Sequence, residues 1–195
     1  THQGADWVEP SPPVGRSWTG DQLTLAGGWE DWSWDTQRRY GTELTLTYEA
    51  GWAGYYLEAG VPVTGYTELL LGTSSARSLL VLCGPFEDSP QASVTTAAGE
   101  VTVLSLSECG GMPGVERVVV QSGTDVPQAP FVLDTLQLRG PDGTLDLLVT
   151  EEQAIEQAFD LVADAADRAG GIPVLLGEFG AFGAADMESR VRWTR

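Results

Sequence analysis

Near the C-terminal end of the chain a glutamate stands between glycines, directly after a short apolar run: Val174-Leu175-Leu176-Gly177-Glu178-Phe179-Gly180. Apolar residues without alternation are the pattern of a strand covered on both faces, as in a parallel sheet flanked by helices. At the C-terminal end of a strand in an α/β barrel, a side chain faces the active-site mouth. A carboxylate there is costly to desolvate unless it has a partner or a task. The flanking glycines allow a ligand close to the backbone. Spacing alone leaves two roles open for Glu178: a reacting carboxylate, or a capping or ion-paired one at a strand end. His2 is the single histidine and Gln3 follows it. Each either props a loop near a site or touches a ligand.

The second store of usable chemistry is aromatic. Seven Trp and five Tyr stand in 195 residues. In Gly27-Gly28-Trp29-Glu30-Asp31-Trp32-Ser33-Trp34, Trp32 and Trp34 share one face if the segment is extended. Trp52, Tyr55, Tyr56 and Tyr66 follow. Such rings either fill a core or form an exposed contact surface. Cys83 and Cys109, the two cysteines, both end apolar runs and are either a disulfide or two buried thiols.

The elements that must position these groups fall into three zones. Residues 1–21 are loop-like, with Pro10, Pro12, Pro13, Gly15 and Gly20. Residues 22–145 carry short alternating runs: Glu43 to Tyr48, Trp52 to Leu57, Glu68 to Leu71, Ser78 to Cys83, Val101 to Leu106, Arg117 to Gln121 and Phe131 to Leu138. Period-two runs punctuated by turns predict an antiparallel sandwich, with Leu44, Leu46 and Tyr48 on one face. Residues 146–195 switch to helical spacing. Thr150-Glu151-Glu152-Gln153 matches a capping box, and Ile155, Phe159, Val162 and Ala166 follow at helical intervals. Gly170, Gly171 and Pro173 end that helix, and a second is predicted from about Ala184. One strand makes no sheet, so the α/β part reads as a piece of a larger one. Both ends of the chain read as cut.

Charge narrows the partners. There are 28 acidic against 10 basic residues, a formal net charge of −18. Such a surface repels phosphate backbones and anionic lipid, which argues against nucleic-acid and membrane partners. A neutral polymer is not repelled. No run is long and apolar enough to cross a membrane as a helix.

The stretch Ile172 to Phe182, continued by Ala185 to Thr194, closely resembles the seventh strand and following helix of glycoside hydrolase family 5, which includes endo-β-1,4-glucanases. Thr1-His2-Gln3-Gly4-Ala5-Asp6-Trp7 resembles the segment after that family's sixth strand, and Trp18-Thr19-Gly20 its lead into the sixth helix. The resemblance covers about a third of the chain. It implies a partial TIM barrel (1–21 and 146–195) with a jelly-roll-like β-sandwich (22–145) inserted after strand six. It implies a secreted hydrolase of β-glucan, with Glu178 as nucleophile of a retaining mechanism and no cofactor. Retaining enzymes need a second carboxylate about 5–5.5 Å from the first. The family's acid/base precedes the part matched, so the isolated chain is expected to be inactive. His2, Gln3, Trp7 and Trp18 are then substrate-contact candidates.

The middle zone, from Leu25 to Asp134, more loosely resembles jelly-roll carbohydrate-binding modules. That resemblance implies sugar stacking on Trp29, Trp32, Trp52 and Tyr55. Asp134 matches a position that often holds structural calcium, with a turn or ladder-capping role as its rival. The alternatives to the enzyme are a non-catalytic binding module and an inert structural insert.

Overall fold

The computed structural model describes residues 20–85, 89–171 and 173. The chain divides into two compact units, one of them Asp21–Val162. Thirteen strands precede one helix among the described residues: β1 (Leu23–Leu25), β2 (Trp29–Asp31), β3 (Thr36–Tyr40), β4 (Leu44–Tyr48), β5 (Gly54–Thr64), β6 (Glu68–Thr73), β7 (Arg77–Leu82), β8 (Gln91–Thr96), β9 (Val101–Ser105), β10 (Gly114–Ser122), β11 (Phe131–Gly140), β12 (Gly143–Asp146), β13 (Leu148–Thr150) and α1 (Glu151–Arg168). They form a five-stranded sheet in the order β2-β5-β10-β7-β8 and a six-stranded sheet built on β3-β4-β11-β6-β9, with β12 beside β11. β1 and β13 pair separately.

Period-two alternation builds the core. Leu44, Leu46 and Tyr48 of β4 are fully buried, as their spacing predicts. Tyr55 and Leu57, Leu79 and Val81, and Val118 and Val120 face them from the other sheet. The Tyr48 hydroxyl donates to the Val120 carbonyl at 2.6 Å, joining a strand of one sheet to a strand of the other. Its ring meets Phe131 edge-on at 5.4 Å. Burial holds the Tyr48 hydroxyl well above its usual pKa. In β11 the register shifts between Leu133 and Thr135. That bulge adds one residue, so Leu133 and Leu136 both point inward despite their odd separation. Cys83 and Cys109 are joined in a disulfide, with Cα atoms 5.1 Å apart.

The capping box is in place. Thr150 N–H donates to Gln153 Oε1 at 2.9 Å, and Gln153 N–H to Thr150 Oγ1 at 3.2 Å. α1 ends where Gly171 N–H reaches back to the Ala166 carbonyl at 3.0 Å, and both Gly170 and Gly171 have positive φ.

The expectation of a sandwich set into a partial α/β barrel needs correction. Every ladder between the named strands is antiparallel, and the described residues form an all-β, jelly-roll-like sandwich followed by one helix. A barrel needs parallel strands alternating with helices, and none is present among those residues. Val174–Leu176, the run taken for a barrel strand, lies outside the described residues. The predicted stripe of α1 keeps Phe159 and Val162 about half exposed.

Candidate ligand-binding groove

The outer face of the five-stranded sheet carries the molecule's aromatic groove. β2 is its edge strand and pairs with β5, Asp31 opposite Leu57. The pairing runs on past the end of β2: Trp32 N–H donates to the Tyr56 carbonyl at 2.8 Å, and Trp34 and Gly54 exchange two bonds of 3.1 Å. Trp32 therefore stands opposite Tyr56, which stands opposite Val119, which stands opposite Leu82. One row along, Trp34 is followed by Gly54, Gln121 and Leu80. Tyr55 and Leu57 point into the core, so the pleat sends Tyr56 outward.

These rows enclose an open groove of about 420 Å³, lined by Trp32, Trp34 and Tyr56 on one side and by Leu82, Arg117, Val119 and Gln121 on the other. Trp32 is 59% exposed and Trp34 38%, which is unusual for residues this apolar.

The Trp34 ring has a fixed seat. It lies over Gly54, where a Cβ would overlap Cη2, Cζ2 and Cζ3 of the indole, the last at 2.7 Å. Its Nε1–H donates to the Trp52 carbonyl at 3.0 Å, and its ring meets Tyr56 edge-on at 6.4 Å. The Trp52 carbonyl also accepts from Gln121 Nε2 at 2.8 Å. Trp52 itself has φ of 59°, a conformation costing roughly 1–2 kcal/mol in a residue with a Cβ. Its N–H is bonded to the Thr124 carbonyl at 2.9 Å. Both backbone groups of Trp52 are thus committed, which holds the strained turn that supports Trp34 and Gln121.

Arg117 donates from Nε to the Gly84 carbonyl, next to the disulfide. The Tyr56 hydroxyl has its pKa raised, first by desolvation and then by the Glu58 carboxylate, with Arg117 opposing the shift. The groove thus offers flat apolar faces bordered by an amide, a guanidinium and a phenol. Such a surface is chemically matched to a ligand that has both C–H faces and hydroxyl groups.

The predicted site residues separate clearly. Trp32 lines the groove, and Trp52 is 48% exposed on the turn that holds it. Trp29 (7% exposed) and Tyr55 (fully buried) belong to the core, where the Tyr55 hydroxyl lies 3.0 Å from that of Tyr40. The period of two explains the split: Trp29 and Trp32 are three residues apart and so face opposite ways. Tyr56, Arg117, Val119 and Gln121 were not among the predicted contacts. The parity of Tyr55 was the available signal for Tyr56, whereas the β10 residues gave none. Asp134 is exposed at the β11 bulge, over Gly72. Among the described residues no three His, Cys, Asp or Glu side chains gather as a metal site. His2, Gln3, Trp7, Trp18 and Glu178 lie outside the described residues.

The hydrolase expectation is corrected together with the barrel. The segments that resembled family 5 lie at the two ends of the chain, almost wholly outside the described residues, and no barrel is evident among the described residues. The groove is bordered by aromatic and polar side chains in place of the facing carboxylates a retaining mechanism requires. No protein-family model matches the chain, and no curated protein does. Solved structures that it resembles are carbohydrate-binding modules. A family 29 module from Piromyces equi is 15% identical, with 63% of this chain and 89% of that one covered and a TM-score of 0.43. A variant of a second family 29 module, complexed with cellulohexaose, is 14% identical over 60% of this chain and 91% of that one, with a TM-score of 0.42. A further variant, complexed with mannohexaose, is 15% identical over 58% and 88%, with a TM-score of 0.41.

Proposed function

We propose that the chain is a non-catalytic carbohydrate-binding module whose groove takes a stretch of a neutral polysaccharide, with β-glucan as the leading candidate. The observation that carries this reading is the placement of Trp32, Trp34 and Tyr56 on one exposed face, with Gln121 and Arg117 across from them. Sugar rings have apolar C–H faces that stack on such rings, and equatorial hydroxyls that bond to groups at the border. The net charge of −18 favours a neutral polymer over a uronate or a sulfated one. The Cys83–Cys109 disulfide supports a secreted or extracellular setting, because disulfides persist in oxidising compartments.

The test is calorimetric titration of the full chain with cellohexaose and with mannohexaose. Saturable binding is expected. Trp32→Ala should weaken it by at least about tenfold, the cost of losing a central aromatic contact. Absence of heat with either sugar, together with unaltered migration in gels loaded with soluble β-glucan, refutes the proposal.

A further inference from the structure

Trp32 and Trp34 sit just past the end of the edge strand β2, on a segment that pairs with β5. Edge segments fray easily, and a fraying segment makes a poor platform for a rigid ligand. The residues between and beside the two tryptophans point the other way, toward a polar cluster under the groove. Asp31 is its centre, with a side chain only 17% exposed. Oδ1 accepts the Ser33 N–H at 2.9 Å, a local turn that fixes the backbone between the two tryptophans. Oδ2 accepts Arg38 Nε at 2.9 Å and the Tyr40 hydroxyl at 3.3 Å. The Tyr40 hydroxyl lies 3.0 Å from that of Tyr55 in the core. Ser33 completes the clamp, its Oγ accepting the Tyr56 N–H at 3.1 Å.

We infer that Asp31 is a positioning residue for the groove: through Ser33 it sets the spacing of Trp32 and Trp34, and through Arg38 and Tyr40 it anchors that spacing to β3 and the core. This rests on the groove being the binding site. Asp31 does not touch the ligand. It reduces the ordering that binding would otherwise have to impose on the edge strand. Trp29 and Tyr55 of this region are buried in the core.

The experiment compares Asp31→Ala and Asp31→Asn in the full chain, by amide hydrogen exchange without ligand and by titration with cellohexaose. In Asp31→Ala, exchange at Ser33 should rise about tenfold or more, as expected on losing about one such bond to a carboxylate. Affinity should fall by about tenfold, while thermal unfolding stays cooperative. Asp31→Asn keeps an oxygen for the Ser33 N–H but sets an NH2 donor against Arg38 Nε, so Ser33 exchange should stay near that of the parent while affinity falls by less than in Asp31→Ala. Unchanged Ser33 exchange in Asp31→Ala overturns the inference, whatever the titration shows. Equal losses of affinity in the two variants overturn it as well. A parent chain that binds no sugar refutes the functional reading instead, and the exchange comparison still decides the role of Asp31.

Discussion

Replacing Gly54 with alanine adds one methyl group to β5, and its consequences follow from the Trp34 seat. In a strand interior this change is ordinarily stabilising, by about 0.5–1 kcal/mol, because alanine has less freedom to lose on folding. Here the new Cβ would occupy the space of the Trp34 ring. The indole has to swing away, losing its bond to the Trp52 carbonyl, worth about 1 kcal/mol, and its edge contact with Tyr56, worth about 0.5–1.5 kcal/mol. The gain offsets less than half of the loss, so stability should fall by about 1 kcal/mol. Binding should suffer more. Losing one central aromatic contact costs about 2 kcal/mol, or roughly 30-fold in affinity. Calorimetric titration with cellohexaose and urea unfolding measure the two effects separately. A double-mutant cycle isolates the cause: in a Trp34→Ala background, Gly54→Ala should leave affinity unchanged, since the ring it displaces is gone. Undiminished binding by Gly54→Ala alone, or an equal loss in the Trp34→Ala background, refutes the argument.

Replacing both Cys83 and Cys109 with serine should lower unfolding free energy by about 3.5 kcal/mol, the loop-closure entropy for a sequence separation of 26, measured by urea denaturation. The same change should weaken glycan binding, because the Gly84 carbonyl that holds Arg117 adjoins Cys83. Alkaline pH should destabilise the sandwich. Burial raises the Tyr40 hydroxyl to about 12 and pushes Tyr48 and Tyr55 higher, from an ordinary value of 10.0. Raised acids of this kind contribute stability below pH 10 and lose it as pH climbs further, since the unfolded chain then ionises first. Unfolding should therefore shift to lower denaturant above about pH 10, with tyrosinate absorbance rising together with the loss of structure.

Strands that alternate strongly were legible from residue order alone. Leu44, Leu46 and Tyr48 declare their buried face because every second residue is large and apolar, and Thr150 with Gln153 declares a helix start through short-range bonding. The edge strands β3 and β8 were not legible. Thr36-Gln37-Arg38-Arg39-Tyr40 and Gln91-Ala92-Ser93-Val94-Thr95-Thr96 contribute little to the core and carry the polar residues that edges need, so they resemble loops. The groove was half legible for a related reason. Trp32 and Trp34 advertise a shared face locally, but which face is outward depends on whether Trp29 or Trp32 enters the core. That is decided by pairing with β5, at the far side of a turn. Arg117, Val119 and Gln121 join only through the β5–β10 register, a contact across about sixty residues of chain that no short-range pattern encodes. Gly54 shows the same limit most sharply. In the sequence it is a glycine inside an aromatic run, which weakens a strand assignment. Its use emerges only when the register sets Trp34 above it, and the absent side chain becomes the space in which the groove-lining ring lies.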